Sequence, residues 1–179
     1  LSKFIDPAHK VVRSDTGQLA WDFGRGVCTL NAPCARGAAG FLEGAGPITL
    51  GEVTITSAND YAAVVLVALD GKPIAESGRV LVQIGTRARP TGWTEARADF
   101  TVNDGKETIH GKKILDTGKM PWAIAETKVT LAVTSPILKT ATLLDVNGNP
   151  RGPVEVSSAA GRLNLTLPKD AMYVVLGTR

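Results

Sequence analysis

The chain has 179 residues, of which 44% are apolar and 21% charged, with a net charge of +3. That length can bury a sizeable core in one domain without help from metals or disulfides. No basic run exceeds Lys112-Lys113, so the electrostatic footprint of a nucleic-acid binder is missing, and no apolar run approaches the roughly 20 residues of a membrane-spanning helix.

Taken in chain order, residues 1–10 show neither the apolar segment nor the cleavage pattern of a signal peptide. The chain also starts without Met, and it reads as a mature or excised piece of something larger. Alternation of apolar and polar residues, the mark of a half-buried strand, begins with "QLAWDF" and "VCTLNA", joined by the turn "FGRG". "ITLGEVTITS" follows, with Val53 and Ile55 on one face and Thr54 and Thr56 on the other. "YAAVVLVAL" is continuously apolar and is expected to be a central strand covered on both faces. "DGKP" reverses the chain, since Asp-Gly supplies a positive φ, and "RVLVQIGTR" returns.

Residues 88–122 alternate less and carry many charges, so an irregular, loop-rich region is expected there, the kind of connection that often holds function. Beyond it, "TKVTLAV" and "TATLLDV" flank "TSPILK". "NGNPRG" makes another hairpin, and "VEVSS", "RLNLTL" and "MYVVLG" complete the set. About ten to twelve strands without an amphipathic helix imply an all-β fold: one antiparallel, jelly-roll-like β-sandwich over residues 1–179.

Cys28 and Cys34 bracket the turn "NAP". The spacing leaves open both a disulfide and two small buried or half-buried thiols. Without a CxxC or paired histidines, no zinc site is expected. His9 and His110 are the only histidines and lie far apart in sequence, with no nucleophile elbow near any serine, so both are read as solvent-facing. Glu43, Glu52, Glu76, Glu95, Glu107, Glu126 and Glu155 could supply a glycosidase pair, but spacing in sequence does not place any two together. "DVNGNP" resembles the front of a calcium loop and lacks its later bidentate carboxylate; a hairpin is preferred. Asn164 heads a glycosylation acceptor pattern inside an expected strand. No cofactor, metal or catalytic residue is assigned.

Nine aromatics remain. Phe41, Tyr61, Phe100 and Tyr173 lie in apolar strands and are expected in the core, and Trp21 is expected to be at least partly buried. Trp93 in "PTGWTE" and Trp122 in "KMPWAI" stand at the edges of the charged region. An exposed indole is a flat apolar face on which a sugar ring stacks, with Arg89 and Glu95 as polar contacts for hydroxyls. The competing expectation is that both indoles close an end of the sandwich or pack on a missing partner.

Three segments together, residues 14–42 beginning "SDTG", residues 67–93 containing "LDGKPIAES", and residues 140–176 ending in a hairpin and a closing strand, resemble the ancillary β-domain that follows the catalytic barrel in some bacterial glycoside hydrolases. The resemblance implies a secreted, polysaccharide-degrading system with a noncatalytic role for this chain. That role is either a carbohydrate-binding module for β-glucan or xylan that targets an attached hydrolase, or a structural companion of its catalytic domain. The charged extension "TVNDGKETIHGKKILDTGK" departs from that pattern, so nothing is carried over to it.

Overall fold

The computed structural model describes residues 2–179, and every strand pairing in it is antiparallel. The first half of the chain supplies β1 (Ile5–Asp6), β2 (Val11–Arg13), β3 (Leu19–Asp22), β4 (Val27–Ala32), β5 (Ala35–Gly40), β6 (Ile48–Leu50), β7 (Val53–Ser57), β8 (Ala62–Ala68) and β9 (Arg79–Thr86). Next come β10 (Ala88–Thr91), β11 (Thr94–Val102), β12 (Glu107–Asp116) and β13 (Lys119–Ile124). The remainder forms β14 (Val129–Thr134), β15 (Thr140–Leu144), β16 (Pro150–Val154), β17 (Ser157–Ala159), β18 (Arg162–Thr166) and β19 (Tyr173–Gly177). Among the described residues there is no α-helix, only 3-10 turns at Ser2–Phe4 and Glu43–Ala45.

Two compact units result, residues 1–86 with 126–179, and residues 87–125. The larger is a β-sandwich. One sheet has ten strands in the order β1-β2-β3-β4-β5-β8-β9-β19-β15-β16, and the other five in the order β17-β18-β14-β7-β6. The smaller unit holds two antiparallel ribbons, β10 with β13 and β11 with β12. The segment expected to be irregular is therefore regular in its backbone. Its weak alternation reflects a ribbon with little core to face, so the usual apolar signal of a strand is diluted by charge.

The sandwich core follows from period-two alternation. Val64, Leu66, Val80, Val82, Val174 and Leu176 point inward from the larger sheet, and Val53, Ile55, Val129, Leu131, Val133, Leu163 and Leu165 meet them from the smaller one. Leu42, Ile74 and Leu138 close the ends from loops. Gly40 marks a tight crossing: its φ is +133°, and a Cβ there would sit 2.0 Å from the Gly26 carbonyl oxygen.

Several expectations are corrected. Phe41, Tyr61 and Phe100 are exposed, and Tyr173 is half-buried. Each occupies an outward position of its strand or the residue beside it. Trp21 is partly buried as expected, although it faces outward with 51% of its surface exposed. β8 is not covered on both faces, because Val67 remains exposed while Val64 and Leu66 are fully buried. Cys28 and Cys34 are both free, and both are exposed rather than buried or half-buried. "NGNP" forms the β15–β16 hairpin as expected, with the Asp145 carboxylate accepting the backbone N–H groups of Asn147 and Asn149.

One polar pair is enclosed by this packing. The Arg36 guanidinium donates to Glu52 at 3.1 Å, with only 12% and 15% of the two side chains exposed, while Arg36 Nε and Glu52 Oε1 are buried without a hydrogen-bond partner. It ties β5 to the β6–β7 turn, where Gly51 makes room for the guanidinium. Removing one partner strands the other charge in low dielectric. Glu52→Ala is expected to cost about 3 kcal/mol in urea denaturation. Arg36→Met with Glu52→Leu together should recover most of that loss.

Candidate functional site

The residues singled out from the sequence converge in the smaller unit. Arg89 lies on β10, Trp122 on β13, Glu95 on β11, and Trp93 in the turn between β10 and β11. Gly118 shapes that junction: φ is +67°, and a Cβ would approach the Thr91 carbonyl to 2.5 Å. There the pairing of both ribbons shifts register, between Pro90 and Thr91 and between Thr94 and Glu95.

Trp93, Arg89 and Glu95 come together, but as contacts of one another. The Arg89 guanidinium carbon sits 5.0 Å from the Trp93 ring centre, a cation–π stack over the indole face. The indole Nε1–H donates to Glu95 Oε2 at 3.2 Å, and Lys112 donates to the other oxygen of Glu95, with Arg87 at 3.8 Å. Trp93 is half-buried in this cluster. Trp122 is separate: directly opposite Pro90 across the ribbon, it is 56% exposed. Arg89 pairs with Ala123 and so belongs to the other face.

The Lys112 hydrogen bond, followed by that of the Trp93 indole, holds the Glu95 carboxyl below its ordinary value of 4.5. A lowered folded-state value means that Glu95 supports the β11–β12 ribbon fully above pH 4.5 and that the support is lost as pH falls through the lowered value. The Trp93 indole N–H resonance should hold its position from neutrality to pH 4.5 and move only below it. Glu95→Gln should remove that step.

A second surface gave no warning in the sequence as a set. The outer face of the ten-stranded sheet is apolar from β3 to β8, and Gln83 on β9, opposite Val65, interrupts it with an exposed polar side chain. Its registers align Trp21, Cys28, Ala39 and Ala63 in one row, Leu19, Leu30, Gly37 and Val65 in the next, and Ala35, Val67, Leu81 and Val175 beyond. Phe23, Phe41 and Tyr61 continue it at one end, with Trp21 and Phe23 at 5.7 Å and Phe41 and Tyr61 edge-to-face at 5.5 Å between ring centres. Trp21, Phe23, Phe41 and Tyr61 are 51%, 40%, 60% and 47% exposed. Rings of this size have about 150–250 Å² each to bury, which leaves about 300–500 Å² of aromatic surface in water. Leu19, Val67 and Leu69, also exposed, add to it, which brings it to the upper end of what a monomer usually shows. The signal that could have found it is "YAAVVLVAL", whose outward set is as apolar as its inward one.

The outer face of the five-stranded sheet is its chemical opposite. A shallow cleft of about 710 Å³ is lined by Thr54, Thr56, Thr130, Asn164 and Thr166, with Arg162 donating to the Thr54 hydroxyl at 3.3 Å. No aromatic ring lines it. His9 and His110 are exposed, each hydrogen-bonded to an aspartate at 2.7 Å, Asp6 and Asp99. Among the described residues, no three His, Cys, Asp or Glu side chains cluster to hold a metal ion. No helix there is long and apolar enough to cross a membrane.

Comparison with protein-family models, with curated proteins and with solved structures finds no match for this chain.

Proposed function

We propose that this chain is a noncatalytic ancillary β-domain of a secreted glycan-degrading enzyme, and that it docks on the enzyme's catalytic domain through the outer face of its ten-stranded sheet. The observation that carries this reading is the apolar row system from Trp21 to Val175, with its half-exposed aromatics. Such a surface costs free energy in water and recovers about 25 cal/mol for each Å² of apolar area covered. A flat sheet of small and branched side chains, rimmed by rings, suits a broad dry contact better than a narrow sugar-binding strip. The resemblance of residues 14–42, 67–93 and 140–176 to the β-domain behind a hydrolase barrel names the partner.

The experiment is calorimetric titration of the chain against the separately expressed catalytic domain of its own enzyme. Binding is expected, with a negative heat-capacity change from apolar burial and a blue shift of Trp21 emission. Val65→Lys with Val67→Lys should weaken it at least tenfold while circular dichroism still reports the β-sandwich. Unchanged affinity in that variant would remove the sheet face from the interface.

A second reading, glycan binding, is favoured by one observation: Trp122 presents an open indole face. Stacking on β-glucan or xylan would then fall to Trp122, because Arg89 already covers Trp93 and Glu95 already accepts its N–H. Titration with soluble β-glucan and xylan should show saturable binding that disappears in Trp122→Ala and persists in Glu95→Gln. No heat with either glycan would dismiss this reading and leave the docking role intact.

A further inference from the structure

The smaller unit has two chemically different faces. On the distal ribbon the registers Glu95–Ile114, Arg97–Lys112, Asp99–His110 and Thr101–Thr108 place mostly charged and polar residues on one side. The other side carries Ala96–Lys113, Ala98–Gly111, Phe100–Ile109 and Val102–Glu107. Phe100 and Ile109 are exposed, and the Phe100 ring leans across Gly111, 3.1 Å from where a Cβ would be. A two-stranded ribbon with one bare apolar face is marginal in water and gains order from a third layer.

We propose that the third layer is the same ribbon of a second copy of this chain, packed face to face and antiparallel about a two-fold axis. The argument is self-complementarity. A two-fold axis that reverses the ribbon direction lays β11 over β11 and β12 over β12, with the four apolar-side rows read in opposite order. Phe100 of one copy then faces Ala98 of the other, Ile109 faces Gly111, and Ala96 faces Val102. Every large side chain meets a small one. The same operation brings the Lys113 ammonium over Glu107 of the second copy, twice by symmetry. Those two are the only charged residues in the four rows. Glu107 is exposed, and the Asn103 amide donates to its Oε2 at 2.8 Å, which leaves Oε1 to meet a cation. Parallel stacking would instead set Lys113 over Ala96 and Glu107 over Val102, desolvating both charges without a partner.

The area sets the strength. Residues 96–102 at about 3.4 Å each span about 24 Å, and two strands with their side chains are about 10 Å wide, so the distal faces alone cover about 500 Å² in total. That is below the roughly 1,000 Å² of a stable interface, which makes the dimer a weak, reversible one. This surface is distinct from the sheet face assigned to docking, and the inference does not rest on that role.

Sedimentation equilibrium of the full chain, from micromolar to millimolar, tests it. A concentration-dependent monomer–dimer equilibrium is expected, with Phe100→Asp reducing association at least tenfold. Lys113→Glu and Glu107→Lys should each weaken it severalfold by opposing like charges across the axis. Their combination should restore it, because the pair is exchanged and not removed. The rescue separates an interface from a folding defect, since loss of the ribbon would not be repaired by a second charge reversal. A monomer at all concentrations overturns the proposal. So does a dimer that ignores all three single substitutions, which would place association on another surface, or one that the double reversal fails to restore.

Discussion

The larger unit depends on one asymmetry of layering: a ten-stranded sheet faces a five-stranded one. Both sheets obey the same pleat, so each inward residue is answered by an outward neighbour one position along. The inward set forms the sandwich core from both layers. On β5 and β8 the outward set is Ala, Gly and Val, as water-averse as the core itself, and it is half-buried for the most part, with Val67 exposed. Apolar residues on both faces are the pattern of a strand buried on both, and it is this pattern that the proposed docking role rests on.

The five-stranded sheet shows the contrast that makes this meaningful. Its outward positions are threonines, which favour an extended backbone, together with Asn164 and Arg162, and all of them can hydrogen-bond to water or to one another. One outer surface is therefore polar and the other apolar, and the difference lies in side chains rather than in topology. Exposed aromatics gather at one end of the apolar face because the turns after β3 and β5 and the entry to β8 all lie there. Gly26 leaves the space that the Phe41 ring occupies.

Charge plays a different part in the smaller unit. The cluster of Arg87, Arg89, Trp93, Glu95 and Lys112 satisfies itself: the ring is stacked, its N–H is bonded, and the carboxylate is shared among cations. Such a network orders a ribbon that has no core of its own. It also occupies the groups that a flat polar ligand would use, which is why the tryptophan lying among the arginines is the less available of the two. Trp122, opposite a proline and away from those cations, keeps its face free.

The sequence by itself determined the all-β class, the antiparallel pairing and most of the strands, because period-two alternation and Asn-Gly or Asp-Gly turns are local properties of the chain. It also marked Arg89, Trp93, Glu95 and Trp122 as unusual, since aromatics in a charged segment stand out from composition alone. It misplaced Phe41, Tyr61 and Phe100 because alternation says that two faces differ, and in strands apolar on both sides it cannot say which face meets a partner. Only the tertiary structure decided that. Which strands lie in the wide sheet, which side of that sheet the second layer covers, and that Arg89 rather than a ligand stacks on Trp93 all follow from long-range pairing, in which residues far apart in the chain compete for the same surface.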